Sequence, residues 1–245
     1  MERFQKVKMN RWFLAGVMLV VGSLLNGCLK DDNQVYQVAA VRGLNAVPGS
    51  GQLDVFLDQN KLNFDSGTWH DEGFAYTDTL PYKNAWPNNR LVSIVDPVDY
   101  PNAEPLVQKT VSFMPGKFYS LYVIGHDDMD VLYTEDNLSE PAAGKAKIRF
   151  IHLSPDAPAL DFSVEANSGD PLTIRDKAFK EATDFTAIDG GIAYAVNFIE
   201  HSNDNVLHTF AFTPETGMIY TVWVKGLLGN TGDAAMDFGH GVITH

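Results

Sequence analysis

The stretch Ile148–Val164, IRFIHLSPDAPALDFSV, has a counterpart 107 residues earlier, Val41–Leu57, VRGLNAVPGSGQLDVFL. The two align without a gap. Arg42/Arg149, Pro48/Pro155, Leu53/Leu160 and Asp54/Asp161 are identical, and Val41/Ile148, Leu44/Ile151 and Leu57/Val164 are similar. Further matches follow in the same order: Thr77-Asp78 with Thr183-Asp184, Arg90–Asp96 with Tyr194–Glu200, and Tyr119–Gly125 with Tyr220–Gly226. Their offsets fall through 106 and 104 to 101. Short loop deletions in one copy of a duplicated domain produce such a series.

Each copy reads as β. Leu53, Val55 and Leu57 alternate with Asp54 and Phe56, and Leu160, Phe162 and Val164 alternate with Asp161 and Ser163. Period two assigns one set to a buried face and the other to solvent. Leu121/Val123 and Val222/Val224 form inner faces in the same way. Tyr119–Ile124 and Tyr220–Val224 are rich in aromatic and β-branched residues, which suit a pleated surface. Val131–Thr134 and Gly241–Thr244 read as closing strands, and Pro115-Gly116 and Asp189-Gly190-Gly191 as turns. Only Ala178–Thr183 reads as a short helical turn. The pattern predicts an all-β chain of two tandem immunoglobulin-like β-sandwich domains. They occupy residues 38–140 and 145–245. A small-residue linker of few contacts, Ser139–Gly144, separates them.

The first 27 residues read as a signal peptide. Arg3, Lys6, Lys8 and Arg11 precede the apolar run Trp12–Leu25. That run of 14 residues is too short to span a bilayer and suits a signal core. Leu25-Asn26-Gly27-Cys28 resembles a bacterial lipobox, and Cys28 is the sole cysteine of the chain. Cys28 is therefore the expected lipidated residue, anchoring the chain to a membrane without spanning it. Residues 28–37 form the tether. Within it, Leu29-Lys30-Asp31-Asp32 resembles the Bacteroidetes-type signal for display outside the outer membrane. No other stretch is long and apolar enough to span.

Residues 1–27 hold four of the 18 basic and one of the 31 acidic side chains, leaving 14 against 30 and a net charge of −16. Such a chain repels nucleic acid and anionic lipid surfaces.

Ala146–Asp161, AKIRFIHLSPDAPALD, resembles the signature of the domain of unknown function 4397 family. The resemblance implies bacterial surface lipoproteins with tandem β-sandwich units, over nearly the whole mature chain. It implies no activity. The first copy departs from the signature, with Val47-Pro48-Gly49-Ser50-Gly51 in place of Ser154–Pro158.

His152, Ser154 and Asp156 bring a base, a nucleophile and an acid within five residues. A triad needs all three in hydrogen-bond reach. The first copy carries Asn45, Val47 and Gly49 at those positions and keeps only the proline. The stretch is therefore expected to be a turn, with Ser154 or Asp156 capping backbone amides. Asp54 and Asp161 lie in separate domains, too far apart for a glycosidase pair, and read as solvated or backbone-bonded carboxylates. His126-Asp-Asp-Met-Asp130 lacks the glycine and terminal Glu of an EF-hand loop and reads as a solvated acidic loop. No phosphate-binding loop, dinucleotide fingerprint, zinc motif or nucleophile elbow occurs. No catalytic residue, metal or cofactor is expected.

Residues 63–105 crowd Trp69, Tyr76, Tyr82, Trp86 and Tyr100 among Gly, Asn, Asp and Pro. Rings with polar handles on loops are the usual lining of sugar and peptide sites, and these five are the candidate ligand-binding residues. Trp86-Pro87 and Tyr82 are the expected exposed members. The alternative is that the rings pack in the core or between domains. Asp78-Thr79-Leu80 also resembles a Bacteroidetes O-glycosylation acceptor. The sequence thus predicts a non-enzymatic outer-membrane lipoprotein that binds a glycan, peptide or protein partner. It would suit an accessory subunit of a starch-utilisation-type nutrient importer. A structural subunit of an envelope or adhesive assembly and an unrecognised hydrolase are the other readings.

Overall fold

The computed structural model describes residues 37–65, 67, 70, 71, 73–99 and 104–245. Cys28, Trp69 and Tyr100 lie outside them. The first copy contributes β1 (Ala39–Asn45), β2 (Asp54–Leu57), β3 (Asn60–Lys61), β4 (Phe64–Asp65), β5 (His70–Asp71), β6 (Thr79–Ala85), β7 (Asn88–Val95), β8 (Val107–Phe113), β9 (Phe118–Ile124) and β10 (Asp130–Asp136). The second contributes β11 (Lys145–His152), β12 (Leu160–Ala166), β13 (Leu172–Lys177), β14 (Thr186–Asp189), β15 (Tyr194–Glu200), β16 (Val206–Phe212), β17 (Ile219–Lys225) and β18 (Gly239–Thr244).

The four-stranded sheets repeat strand for strand, and the short β4–β5 pair of the first copy has no counterpart among the described residues of the second. The first sandwich pairs β10-β9-β1-β6 with β3-β2-β7-β8, and the second pairs β18-β17-β11-β14 with β13-β12-β15-β16. In both, the opening strand runs parallel to the penultimate one, with Val41 opposite Tyr119 and Ile148 opposite Tyr220. Those tyrosines turn back alike. The Tyr119 hydroxyl accepts from the Met114 amide and that of Tyr220 from the Glu215 amide, both at 3.0 Å. Val41, Val55, Val92, Ile94, Phe113 and Leu121 fill the first core. Ile148, Phe150, Phe162, Val196, Phe198 and Val222 fill the second.

Two expectations change here. Ala178–Thr183 is a β-turn with Lys180 at φ 77° followed by a bridge of Ala182 to Ile151, because the chain must re-enter the sheet beside β11. The solvated face expected for β9 and β17 is buried instead, together with that of β1 and β11 beside them. Leu44, Ala46, Tyr122 and Ile124 of the first sandwich meet Ile151, Leu153, Trp223 and Ile243 of the second in a third apolar cluster. Gln37–His245 accordingly forms one compact unit in which the two sandwiches share this layer. Burying a large apolar side chain stabilises by about 1.5–3 kcal/mol, so this layer holds the sandwiches face to face.

A polar junction lies beside that layer, and it too is built from repeated positions. Arg42 and Arg149 lie 5.3 and 4.5 Å from the ring centres of Tyr82 and Phe185. Ser120 donates to Asp136 at 2.7 Å, and its counterpart Thr221 donates to Nε2 of His245 at 2.7 Å. Asp136 stands opposite Phe118 on β9, and His245 meets Ile219 on β17, again 101 residues on. The two sets then join across the junction. Arg149 Nη2 reaches Asp136 at 2.5 Å and the Tyr122 hydroxyl at 2.9 Å, and its Nε donates to Thr221 at 2.8 Å. Tyr82 donates to Asp136 at 2.6 Å and accepts from Nδ1 of His245 at 2.8 Å. Arg42 donates to the Thr244 carbonyl at 2.9 Å.

These donors leave His245 neutral, with its proton on Nδ1. Burial, helped by Arg149 and Arg42 and opposed by Asp136, lowers its pKa to about 4. A histidine depressed from 6.5 stabilises the fold above the unfolded pKa, and that contribution is lost as pH falls toward 4. A shift of this size corresponds to about 3 kcal/mol. His240, in contact with His208 at 2.8 Å, is lowered to about 4 in the same sense, chiefly by burial. Thermal melts should fall steeply between pH 6.5 and 4. His245→Gln should keep more of its pH 7 stability at pH 4.5 than the parent; an equal loss would remove His245 as a cause.

Candidate functional site

The turn Ile151–Pro158 has no free catalytic group. His152 is fully buried, donates from Nε2 to the Pro158 carbonyl at 3.0 Å, and has its pKa lowered mainly by burial. Ser154 donates to the Gly226 carbonyl at 2.7 Å. Asp156 accepts from the Leu228 and Gly229 amides, each at 2.8 Å. The three groups brace the turn against the loop that leaves β17. Asn45 braces the first copy, donating to Ser50 and the Phe74 carbonyl and accepting from the Val47 amide.

Asp54 and Asp161 are buried rather than solvated. Asp54 meets Lys61 at 2.8 Å, and Asp161 meets Arg175 at 2.9 Å, His201 at 2.7 Å and the Asp176 amide at 2.7 Å. Each ties its strand to the neighbouring hairpin. Among the described residues no group of three or more His, Cys, Asp or Glu is placed to hold a metal ion.

The predicted aromatic residues separate. Tyr76 packs against the apolar layer between the sandwiches, where burial pushes its hydroxyl up to about 12. Tyr82, expected at the surface, is half-buried, its hydroxyl engaged by Asp136 and His245. Burial, then the Asp136 charge, raises its pKa far above the ordinary value. Trp86 alone of the described candidates is displayed, with 55% of its surface exposed.

Trp86 and Pro87 form the corner where the chain crosses from β6 in one sheet to β7 in the other. Arg90 fixes that corner. Its Nε donates to the Trp86 carbonyl at 3.0 Å, its Nη2 to the Pro87 carbonyl at 2.6 Å, and its Nη1 to Asp58 at 3.1 Å. Asp58 sits in the tight turn between β2 and β3 and also accepts from the Leu91 amide at 2.9 Å. That amide, with the Arg90 guanidinium, holds its carboxyl below the usual range. Asp58 and Asn88 both adopt left-handed backbone, φ 55° and 73°. Non-glycine residues hold that conformation at a cost of roughly 1–3 kcal/mol and keep it only where their surroundings enforce it.

Turn and corner enclose a cleft of about 270 Å³, lined also by Asn60, Lys61, Lys83 and Asn84. Sequence reading found Trp86 but missed these walls. One signal was present: the repeat weakens at this corner, where Arg90 aligns with Tyr194.

A family model for a domain of unknown function (DUF4397) matches residues 39–163, 125 of the 245 residues. The chain belongs to the DUF4397 family. The match spans the whole first sandwich, β11 and most of β12, less than the nearly complete coverage that the signature implied. The rest of this DUF4397 chain is tied to it by repeated topology. No curated protein matches it.

Three solved structures show low similarity. CBMbc, a family CBM26 module of Eubacterium rectale Amy13K in complex with maltoheptaose, is 11% identical over 85% of this chain and 96% of that one, with a TM-score of 0.25. An α-glucan-binding streptococcal virulence factor is 11% identical over 77% and 92%, at 0.25. A leucine-rich repeat protein of Bacteroides thetaiotaomicron VPI-5482 is 13% identical over 80% and 27%, at 0.21. TM-scores of this size do not correspond to a shared arrangement of the whole chain.

Proposed function

We propose that this DUF4397 chain is a non-enzymatic binding protein. In this reading lipidated Cys28 anchors it in the outer membrane, facing the cell exterior, and it captures an extracellular glycan, peptide or protein. The observation that carries the reading is Trp86, more than half exposed beside a cleft of mixed polar and apolar lining, its corner held by Arg90. A displayed ring on a rigid corner offers a large contact area at little entropic cost. The fold supports binding over catalysis in one further respect: His152, Ser154 and Asp156 are spent on a turn. An accessory subunit of a starch-utilisation-type importer is the setting the anchor motif favours. Co-purification from the outer membrane tests that setting.

Trp86→Ala should weaken the captured ligand roughly 30-fold, the loss of a contact worth about 2 kcal/mol. Arrays of glycans and peptides probed with the full lipoprotein read this directly. Unchanged binding by the variant would place the site elsewhere.

A further inference from the structure

We infer that the Trp86 cleft takes a neutral carbohydrate chain and that each molecule holds one such site; this rests on the cleft being the binding site. Charge on the walls is internally balanced. The cations are Lys61, Lys83 and Arg90. Lys61 lies 2.8 Å from Asp54 and 2.9 Å from Asp71, and Arg90 lies 3.1 Å from Asp58. Lys83 donates to the Phe64 carbonyl at 3.1 Å. Two carboxylates thus hold Lys61, one holds Arg90, and a carbonyl holds Lys83. An anionic ligand would have to displace one of these contacts while approaching a strongly acidic chain. A cationic ligand fares no better: Asp58, the carboxylate that lines the cleft, is bound by Arg90 and the Leu91 amide, Asp54 is buried, and Asp71, though exposed, lies outside the lining and is held by Lys61.

What remains is uncharged. The Asn60 and Asn84 side chains are exposed and flank the cleft. Each amide offers both donors and an acceptor, the complement of neighbouring hydroxyls on a sugar ring. Trp86 supplies the apolar face against which the C–H side of such a ring packs. A ring of carbons bearing hydroxyls uses both features at once. At about 270 Å³ the cleft falls near the lower end of the roughly 300–1,000 Å³ typical of ligand sites. It accommodates a short stretch of a longer chain.

The second sandwich shows why there is one site. Its equivalent cleft lies between the β12–β13 loop and the β14–β15 corner. That corner carries Gly190, Gly191 and Ile192 where the first has Trp86-Pro87. Ile192 is 42% exposed, and Tyr194, the ring nearby, is buried. The duplicated cleft has no displayed ring.

The test is calorimetry on the full lipoprotein in detergent, with hexasaccharides of glucose, mannose and xylose, a hexagalacturonate, and a peptide library. At least one neutral hexasaccharide should bind at one per chain, with little change between 50 and 500 mM salt. Trp86→Ala should weaken it at least 10-fold. Asn84→Ala should weaken it several-fold, and Ile192→Ala should leave it unchanged. Trp86→Phe, which keeps a ring, should retain most of the affinity, and an unaltered melting temperature for each variant separates binding from folding. If hexagalacturonate or peptide alone binds in a Trp86-dependent, salt-sensitive manner, the neutral-sugar inference falls while the proposed function stands. Two sites per chain, or a neutral sugar indifferent to Trp86, also overturns the inference. If nothing in this panel binds, the inference falls and the proposed function keeps only a protein partner.

Discussion

Asp136→Ala is expected to cost about 3–5 kcal/mol of folding stability, because it strands the Arg149 charge between the two sandwiches. The Asp136 carboxylate is fully enclosed and the Arg149 side chain is 2% exposed. Removing one member of a buried pair leaves the other uncompensated, the costliest way to break it. Tyr122, Thr221 and the Glu135 carbonyl would remain on Arg149, but none carries charge. For a chain of this length each kcal/mol shifts the melting temperature by about 2–4 °C, so the expected drop is on the order of 10 °C. The surface pair Lys117–Glu135, 49% and 43% exposed, provides the contrast. Lys117→Ala should change stability by less than about 1 kcal/mol. Arg149→Met added to Asp136→Leu should recover part of the loss, since an apolar replacement of both partners removes the stranded charge. Equal effects from Asp136→Ala and Lys117→Ala would mean that the junction is not the anchor its burial indicates.

That junction also marks how far the sequence could be read. The duplication was legible because Pro48/Pro155, Leu53/Leu160 and the tyrosines at 119 and 220 occupy the same strand positions in both copies, and period-two alternation specifies strands directly. The arginines at 42 and 149 were visible as identities, yet their role was not. It depends on Asp136 and His245, which stand at matching positions with different side chains, so no repeat comparison pairs them. The buried second face of β9 and β17 did leave a trace. Tyr119–Ile124 and Ile219–Val224 are nearly continuous apolar runs, the mark of a strand covered on both sides. The alternation rule presumes one wet face and so assigned Tyr122 and Trp223 to solvent. At the candidate site, Trp86 was legible as a ring beside proline in a polar loop. Asp58 and Asn60 were not, because they come from a turn almost thirty residues away in sequence.

Trp223→Ala carries the second large effect, and it probes the apolar half of the same contact. Trp223 is 3% exposed and lies in the layer with Leu44, Tyr122, Ile151 and Leu153. Its ring crosses Gly241 on β18, where a Cβ would come within 2.3 Å of the indole nitrogen. The glycine is thus part of the ring's seat. Large-to-small changes at such places cost about 3–5 kcal/mol, the transfer of the lost atoms plus the cavity left behind. Trp86→Ala removes the same side chain from an exposed corner and should stay within about 0.5 kcal/mol. Chemical denaturation of the two variants side by side therefore compares one residue type in two environments. A Trp223→Ala loss below about 1 kcal/mol would show that the sandwiches can separate and leave each other's faces wet. A loss of the expected size, in a single cooperative transition, would show that the duplicated halves fold as one unit.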